Sequence, residues 1–143
     1  MKNIENVIRK IGYELIRKRF ESEYLQISDF SNRDSLNTFI TRKRNDLYLH
    51  AYTHSRYYHE LFKHIGLIRD GKVDTSRIAE IPILTKDIIR KYHQDLISDD
   101  YQTRKWFYNS SGGSTGEPIR LIQDESYSQW SAATNYFYFK NIL

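Results

Sequence analysis

The chain of 143 residues is long enough to bury a core, and its charge is mildly positive, with 22 Lys and Arg against 18 Asp and Glu. It has no cysteine, which excludes disulfides, thiolate metal sites and a cysteine nucleophile. No apolar stretch approaches the roughly 20 residues that span a bilayer, and the amino terminus lacks the pattern of a secretory signal. These features predict a cytoplasmic protein without a transmembrane segment.

The first part of the chain predicts helices. Apolar residues recur at intervals of three and four over residues 3–24, which is typical of an amphipathic helix. Turn-forming residues fill positions 28–34. A second helix is expected to begin near Ser35 and to continue, or restart, until Gly66 ends it. A turn is expected over Arg69–Lys72.

Ile81–Leu84 is expected to be extended, because the residue before a proline avoids the helical region. Thr85 has the side chain of a helix N-cap, and the apolar residues after it predict a helix that ends at Ser98–Asp100. A final helix is expected after Asp124. Its apolar stripe is expected to contain Tyr127, Trp130, Thr134 and Phe137.

The segment Tyr108–Pro118 concentrates three of the six glycines and one of the two prolines. An aromatic run, Lys105–Tyr108, precedes it, and an apolar alternation, Ile119–Ile122, follows it. This order predicts a strand, a glycine-rich loop and a second strand. Backbone N–H groups and hydroxyls directed at one point are typical of a phosphate-binding loop.

Spacing excludes the common alternatives for this loop. A Walker P-loop requires Lys and then Ser or Thr after its last glycine, but Glu117 follows Gly116. The chain contains neither the G-x-G-x-x-G fingerprint of dinucleotide-binding folds nor the G-x-S-x-G elbow of serine hydrolases. A simple hairpin turn explains the glycines. It does not explain the cluster of hydroxyl residues, Ser110, Ser111, Ser114 and Thr115.

Two other patterns are compatible with binding. His50 and His54 can share a helix face, but a metal site needs more ligands, and only Glu60 among the acidic residues has suitable spacing. Arg42–Arg44 lies near several tyrosines, as in nucleic-acid-binding surfaces, but no nucleic-acid-binding motif is present. Both patterns are also typical of a solvated helix surface. The sequence therefore predicts neither a metal site nor a nucleic-acid partner.

Ser111–Pro118, with the sequence SGGSTGEP, resembles the phosphate-binding loop of the adenylate-forming (AMP-binding) enzyme superfamily. The doubled glycine and the Glu-Pro pair are similar to the phenylacetate–coenzyme A ligase branch, and within it to capsular polysaccharide biosynthesis proteins. His54–Phe62 resembles a helix of that branch, and Ile81–Lys86 resembles its segment before the next helix. The resemblance covers roughly residues 36–143.

This resemblance implies a ligase that joins a carboxylate to ATP, releases pyrophosphate and passes the acyl group to an acceptor such as coenzyme A. It implies ATP and Mg²⁺ as cofactors, and phosphate contacts from the loop. The loop residues implied in these contacts are Ser111, Gly112, Gly113, Ser114, Thr115 and Gly116. The chain departs from the family pattern at Gly112, where many relatives have serine. It also departs at Arg120, one position beyond the usual basic residue.

The resemblance also implies an α/β fold, in which a helical amino-terminal region leads into the first strands of an incomplete AMP-binding domain. A leading helix and linker occupy residues 1–34, a helical region residues 35–100, and a strand–loop–strand–helix unit residues 101–143. The last helix lacks a stop signal, so the chain is expected to be the amino-terminal part of a longer protein. The resemblance implies that the catalytic residues lie beyond Leu143, and the chain alone is not expected to form an adenylate. The alternative is a truncated, non-catalytic relative that acts as a nucleotide-binding or interaction module.

Overall fold

The computed structural model describes residues 12, 14–15, 17–28, 32–110 and 118–142. Helices and two small antiparallel sheets make up this part of the chain, so the expected mixture of helix and strand is confirmed at that level. The chain divides into two compact units. One contains the helices near the two ends of the chain, and the other extends from Leu36 to Asp124.

The first unit is built from helix α1 (Glu21–Ser28) and a long helix near the carboxyl end, Glu125–Ile142. Phe20, Tyr24 and Ala133 form its buried cluster. The rings of Tyr24 and Tyr136 meet edge to face with centroids 5.1 Å apart, a favourable arrangement for aromatic pairs. This packing holds the two helices together although they are far apart in sequence.

The sequence predictions for these two helices are only partly correct. The predicted helix over residues 3–24 is interrupted by a turn at Lys18–Phe20, and α1 then continues to Ser28. Its part before Gly12 lies outside the described residues. The turn accompanies the burial of Phe20, whose ring packs 5.7 Å from that of Tyr136. A helical period alone does not reveal such a break.

The final helix starts at Glu125, as expected, but its predicted apolar stripe is partly wrong. Tyr127 is 56% exposed and Thr134 is exposed, whereas Ala133 is fully buried. Tyr136 and Phe137 pack against the buried cluster beside it. The small side chain of Ala133 permits close approach to α1, which explains why this position faces the core.

Helices α2 (Arg33–His54) and α3 (Arg56–Ile65) come next, and the second unit starts at Leu36 within α2. Of the two expected arrangements, one continuous helix or a restart, the structure shows the restart. The Ser55 side chain separates them: it accepts a hydrogen bond from the Tyr58 N–H at 3.4 Å and caps α3. Gly66 ends α3 with φ of 66°, a left-handed conformation that glycine adopts without steric cost. The predicted helix end at Gly66 is therefore confirmed.

A short hairpin follows α3. Strands β1 (Ile68–Arg69) and β2 (Lys72–Val73) pair antiparallel. Asp70 and Gly71 form the turn with φ of 49° and 70°, the positive values that a tight two-residue hairpin turn requires. The predicted turn over Arg69–Lys72 is confirmed. A 3-10 helix at Thr75–Glu80, which the sequence analysis did not predict, comes next.

The extended backbone before Thr85 and its role as N-cap are both confirmed. Ile81 has φ of −69° and ψ of 120°, and the Thr85 side chain accepts a hydrogen bond from the Ile88 N–H at 3.3 Å. The cap fixes the start of the next helix directly after the Pro82 segment.

The single helix predicted after Thr85 is instead two short ones, α4 (Lys86–Lys91) and α5 (His93–Leu96). They are separated at Tyr92, whose φ of −109° and ψ of 24° are not helical. The Tyr92 ring packs 5.2 Å from the ring of Tyr57, so a contact distant in sequence accompanies the break.

Strands β3 (Trp106–Ser110) and β4 (Arg120–Asp124) form the second sheet, and β4 leads directly into the long helix α6 (Glu125–Ile142). The prediction of a strand on each side of the glycine-rich segment is confirmed. Among the helices of the described residues, none combines the length and the apolar character needed to cross a membrane.

Candidate functional site

The six predicted phosphate-binding residues, Ser111 to Gly116, lie outside the described residues, but the strands on both sides of them are described. β3 and β4 pair antiparallel in a register that places Ser110 opposite Arg120. The chain therefore leaves and re-enters the sheet at one paired position. Such a register fixes both ends of the glycine-rich segment on a common support.

Side chains reinforce the strand pair at the end that adjoins the loop. The Asn109 amide donates a hydrogen bond to the Gln123 side-chain oxygen across the strands at 2.8 Å. The Asn109 side-chain oxygen also accepts from the Ser110 N–H at 2.7 Å. These bonds hold the last residues of β3 in place immediately before the loop.

Arg120 contributes a positive charge at the same end of the sheet. Its guanidinium lies 4.3 Å from the centre of the Tyr108 ring, close enough for a cation–π interaction. The Arg120 carbonyl is also 3.3 Å from Nε2 of His93. Ring and backbone contacts thus position an exposed arginine where β4 begins, and its charge suits an anionic ligand.

A cavity of about 310 Å³ is lined in part by residues of β4. Its size is at the lower limit for small-molecule pockets. The lining is mainly apolar and aromatic, with His93, Arg104 and Arg120 as basic groups and Asp124 as an acidic one. Burial raises the pKa of Tyr58, another lining residue, so its hydroxyl stays protonated over the neutral range. The cavity can accept a small, largely apolar molecule that carries an anionic group.

A second cluster lies at the carboxyl end of α2. The rings of His50 and His54 are 4.6 Å apart, and Nδ1 of His54 is 2.7 Å from the Asp99 carboxylate. Nε2 of His50 is 3.2 Å from the Ser98 hydroxyl and 3.7 Å from the Asp100 carboxylate. The structure thus brings to the two histidines a pair of aspartates from a different part of the chain.

Asp100 has two hydrogen-bond partners besides its contact with His50. It accepts hydrogen bonds from the Ser98 hydroxyl at 2.5 Å and from Arg104 at 2.8 Å. The Ser98 bond lowers the pKa of Asp100 below its usual value, partial burial opposes that shift, and the charge of Arg104 adds to it. The carboxylate is therefore ionised across the neutral range and can act as a ligand for a cation.

Asp99 and Asp100 were not predicted from the sequence as partners of the two histidines. Asp99 is 45 residues from its partner His54, so no local spacing rule connects them. The only local signal was the histidine pair itself, placed one helical turn apart by the i, i+4 interval. Glu60, the acidic residue singled out from the sequence, is not in the group of potential ligands around His50 and His54.

The comparisons with known proteins add no relative. No protein-family model matches the chain, and no match was found among curated proteins or solved structures.

Proposed function

We propose that the chain is the amino-terminal portion of an ATP-dependent carboxylate-activating ligase, in which Ser111–Gly116 binds the β- and γ-phosphates of ATP. The observation that carries this proposal is a glycine- and hydroxyl-rich segment supported by a pair of antiparallel strands, β3 and β4. Activation forms an acyl-adenylate, releases pyrophosphate, and transfers the acyl group to an acceptor such as coenzyme A. The resemblance of Ser111–Pro118 to the loop of capsular polysaccharide biosynthesis proteins suggests a role in that process.

The chemistry of the segment suits a polyphosphate. Its glycines let backbone N–H groups approach the ligand closely, and Ser114 and Thr115 add hydroxyl donors. Donors directed at the departing pyrophosphate stabilise charge that develops in the transition state, an effect worth about 10²–10³ in rate for a single donor in other enzymes. Mg²⁺ would share the phosphate charge. Arg120 supplies a positive charge at the end of β4 next to this segment.

The support under the loop is an equally important part of the proposal. Donors stabilise a transition state only when their positions are fixed before the reaction, since reorganisation would consume the gain. The pairing of Ser110 with Arg120 and the Asn109–Gln123 hydrogen bond favour fixed loop ends. Fixed ends are what a preorganised phosphate-binding loop requires of its flanking strands.

A fluorescence titration of the chain tests phosphate binding. Trp106 lies in β3, close to the loop in sequence, and Trp130→Phe leaves it as the only tryptophan. We expect ATP with Mg²⁺ and pyrophosphate with Mg²⁺ to bind at one site with millimolar affinity, about −4 kcal/mol. Adenosine should not compete, because the proposed contacts are with the phosphates. Equal competition by adenosine would contradict a phosphate site.

The loop is tested by replacing Ser114 and Thr115 with alanine in the same titration. Because hydrogen bonds to charged groups contribute about 1.5–3 kcal/mol each, the double variant should bind at least about tenfold more weakly. Thr38→Ala with Thr41→Ala is the matched control, since it removes two hydroxyls from the exposed surface of α2. Equal affinity of the two double variants would remove the loop from the phosphate site.

Carboxylate-dependent exchange of pyrophosphate into ATP separates the ligase from the non-catalytic alternative. The motifs that bind adenine and ribose, and the catalytic lysine, were not found among the 143 residues. We therefore expect exchange only when this chain is continued by those motifs, and none from the chain alone. Exchange by the isolated chain would contradict this division of the active site.

A further inference from the structure

The cluster at the end of α2 contains a set of metal ligands that the proposed ligase function does not use. His50 and His54 lie one turn apart, and Asp100 reaches them from the segment after α5. One ligand atom from each of the three lies within 4.8 Å of those of the other two. Ligands of a tetrahedral zinc ion, at about 2.0–2.1 Å from the metal, lie about 3.3 Å from one another, so the three atoms must move closer together to bind it.

The donor types determine the class of metal. Two imidazole nitrogens and a carboxylate are typical ligands of Zn²⁺ and of its first-row neighbours, with water in a remaining position. Mg²⁺ prefers oxygen ligands in octahedral geometry and is poorly matched to two imidazoles. The cluster is therefore chemically different from the Mg²⁺–phosphate site proposed at the loop.

A carboxylate outside the ligand set orients one of the histidines. The Asp99 carboxylate lies 2.7 Å from Nδ1 of His54 and can accept a hydrogen bond from it. When His54 donates from Nδ1 to Asp99, its Nε2 carries the lone pair and is the nitrogen that can bind a metal, as in carboxylate–histidine–zinc arrangements. Asp99 is thus a positioning residue.

The backbone holds the two halves of the cluster together without using the imidazoles. The Asp99 N–H donates to the His54 carbonyl at 2.8 Å, and the Ser55 hydroxyl donates to the Asp95 carbonyl at 2.9 Å. Ser55 is buried, so water does not compete for its bond. These links keep the aspartates next to the histidines, which lowers the entropy cost of assembling the ligands.

His50 and Asp100 can each present a lone pair to a cation. Nε2 of His50 faces the Ser98 hydroxyl, and a neutral imidazole can move its proton to Nδ1 and present the lone pair instead. Asp100 has a second carboxylate oxygen besides the one that contacts Ser98 and Arg104. Arg104 also lies 3.6 Å from the Asp124 carboxylate, so it keeps an ionic partner when Asp100 turns toward a cation.

We propose that His50, His54 and Asp100 form a binding site for a transition-metal cation of the Zn²⁺ type, with Asp99 orienting His54. The bound cation links the end of α2 to the segment that follows α5. The site is independent of the phosphate loop, so it can be tested without ATP or a carboxylate substrate.

The test is a Zn²⁺ titration of the chain against a chromophoric chelator. We expect one Zn²⁺ per chain, no competition from millimolar Mg²⁺, and an affinity reduced more than about tenfold by His50→Gln, since even outer-shell changes cost about 10–100-fold. His64→Gln is the matched control, because His64 is an exposed histidine of the neighbouring helix α3. Asp99→Asn should weaken binding about 10–100-fold, with recovery in Asp99→Glu.

Nitrogen NMR of the five imidazoles provides a second readout that does not require any variant. Zn²⁺ should shift the ring nitrogens of His50 and His54, and leave those of His59, His64 and His93 near their original positions. Equal loss of affinity in His50→Gln and His64→Gln, or shifts spread over all five histidines, would overturn the proposed site and indicate nonspecific binding.

Discussion

Ser55 should be a major determinant of the stability of the second unit, because one buried hydroxyl joins two distant elements. The residue is only 4% exposed. It donates to the Asp95 carbonyl at 2.9 Å and accepts from the Tyr58 N–H at 3.4 Å. Ser55→Ala removes both bonds and changes little else in volume.

The expected loss follows from the two bonds. Loss of an N-cap costs about 0.5–2 kcal/mol, and the lower end applies here because the capping bond is long. Loss of the donor to Asp95 leaves a partly buried carbonyl without its partner, which costs about 1–3 kcal/mol. Together these predict a decrease of about 2 kcal/mol in the free energy of unfolding. For a chain of this size the midpoint of thermal unfolding should fall by about 8 °C.

Urea denaturation followed by circular dichroism measures this change. Ser128→Ala is the control, since Ser128 lies on the exposed surface of α6 and its loss should cost less than about 0.5 kcal/mol. A Ser55→Ala variant as stable as this control would refute the reasoning, because it would mean that neither bond contributes to folding. If the reasoning holds, Ser55→Ala should also bind Zn²⁺ more weakly than the unsubstituted chain, since the segment after Asp95 would be less restrained.

Two further predictions concern Gly66 and Asp100. Gly66→Ala should lower the free energy of unfolding by about 1–2 kcal/mol, because φ is 66° there, and Gly66→Asn should cost less in the same urea titration. The folded-state pKa of Asp100 is lowered, so its stabilising contribution is present above the unfolded pKa of about 3.9 and is lost as pH falls through the folded value. Asp100→Asn should therefore flatten the loss of stability below about pH 4, whereas Asp46→Asn, at an exposed position of α2, should not. Parallel profiles of stability against pH for Asp100→Asn and Asp46→Asn would contradict the stabilising role of the ionised Asp100 carboxylate.

Local sequence signals were sufficient where the backbone itself decides the structure. Gly66 ends a helix because it reaches positive φ without cost, and Thr85 begins one because its hydroxyl satisfies a free N–H. The turn over Arg69–Lys72 and the strands around the glycine-rich segment follow from the same kind of short-range preference. The phosphate role of Ser111–Gly116 stays a prediction from sequence, to be tested by titration.

Long-range packing explains where prediction from the sequence failed. The helix after Thr85 breaks at Tyr92, whose ring meets Tyr57. The face of α6 that is buried is set by its fit around Ala133 against α1, which the apolar stripe did not reveal. In both cases the period of the sequence is compatible with several packings, and contacts with distant residues select one.

The amino-acid sequence alone determined the helix end at Gly66, the helix start at Thr85, the tight turn and the strands that flank the glycine-rich segment, since these depend on backbone preferences over a few residues. It also presented His50 and His54 as a pair on one helix face. Only the tertiary structure placed Asp99 and Asp100 against that pair, through the hydrogen bonds that join the end of α2 to the segment after α5. No spacing rule contains that information, because the contact is made by folding over a separation of 45 residues.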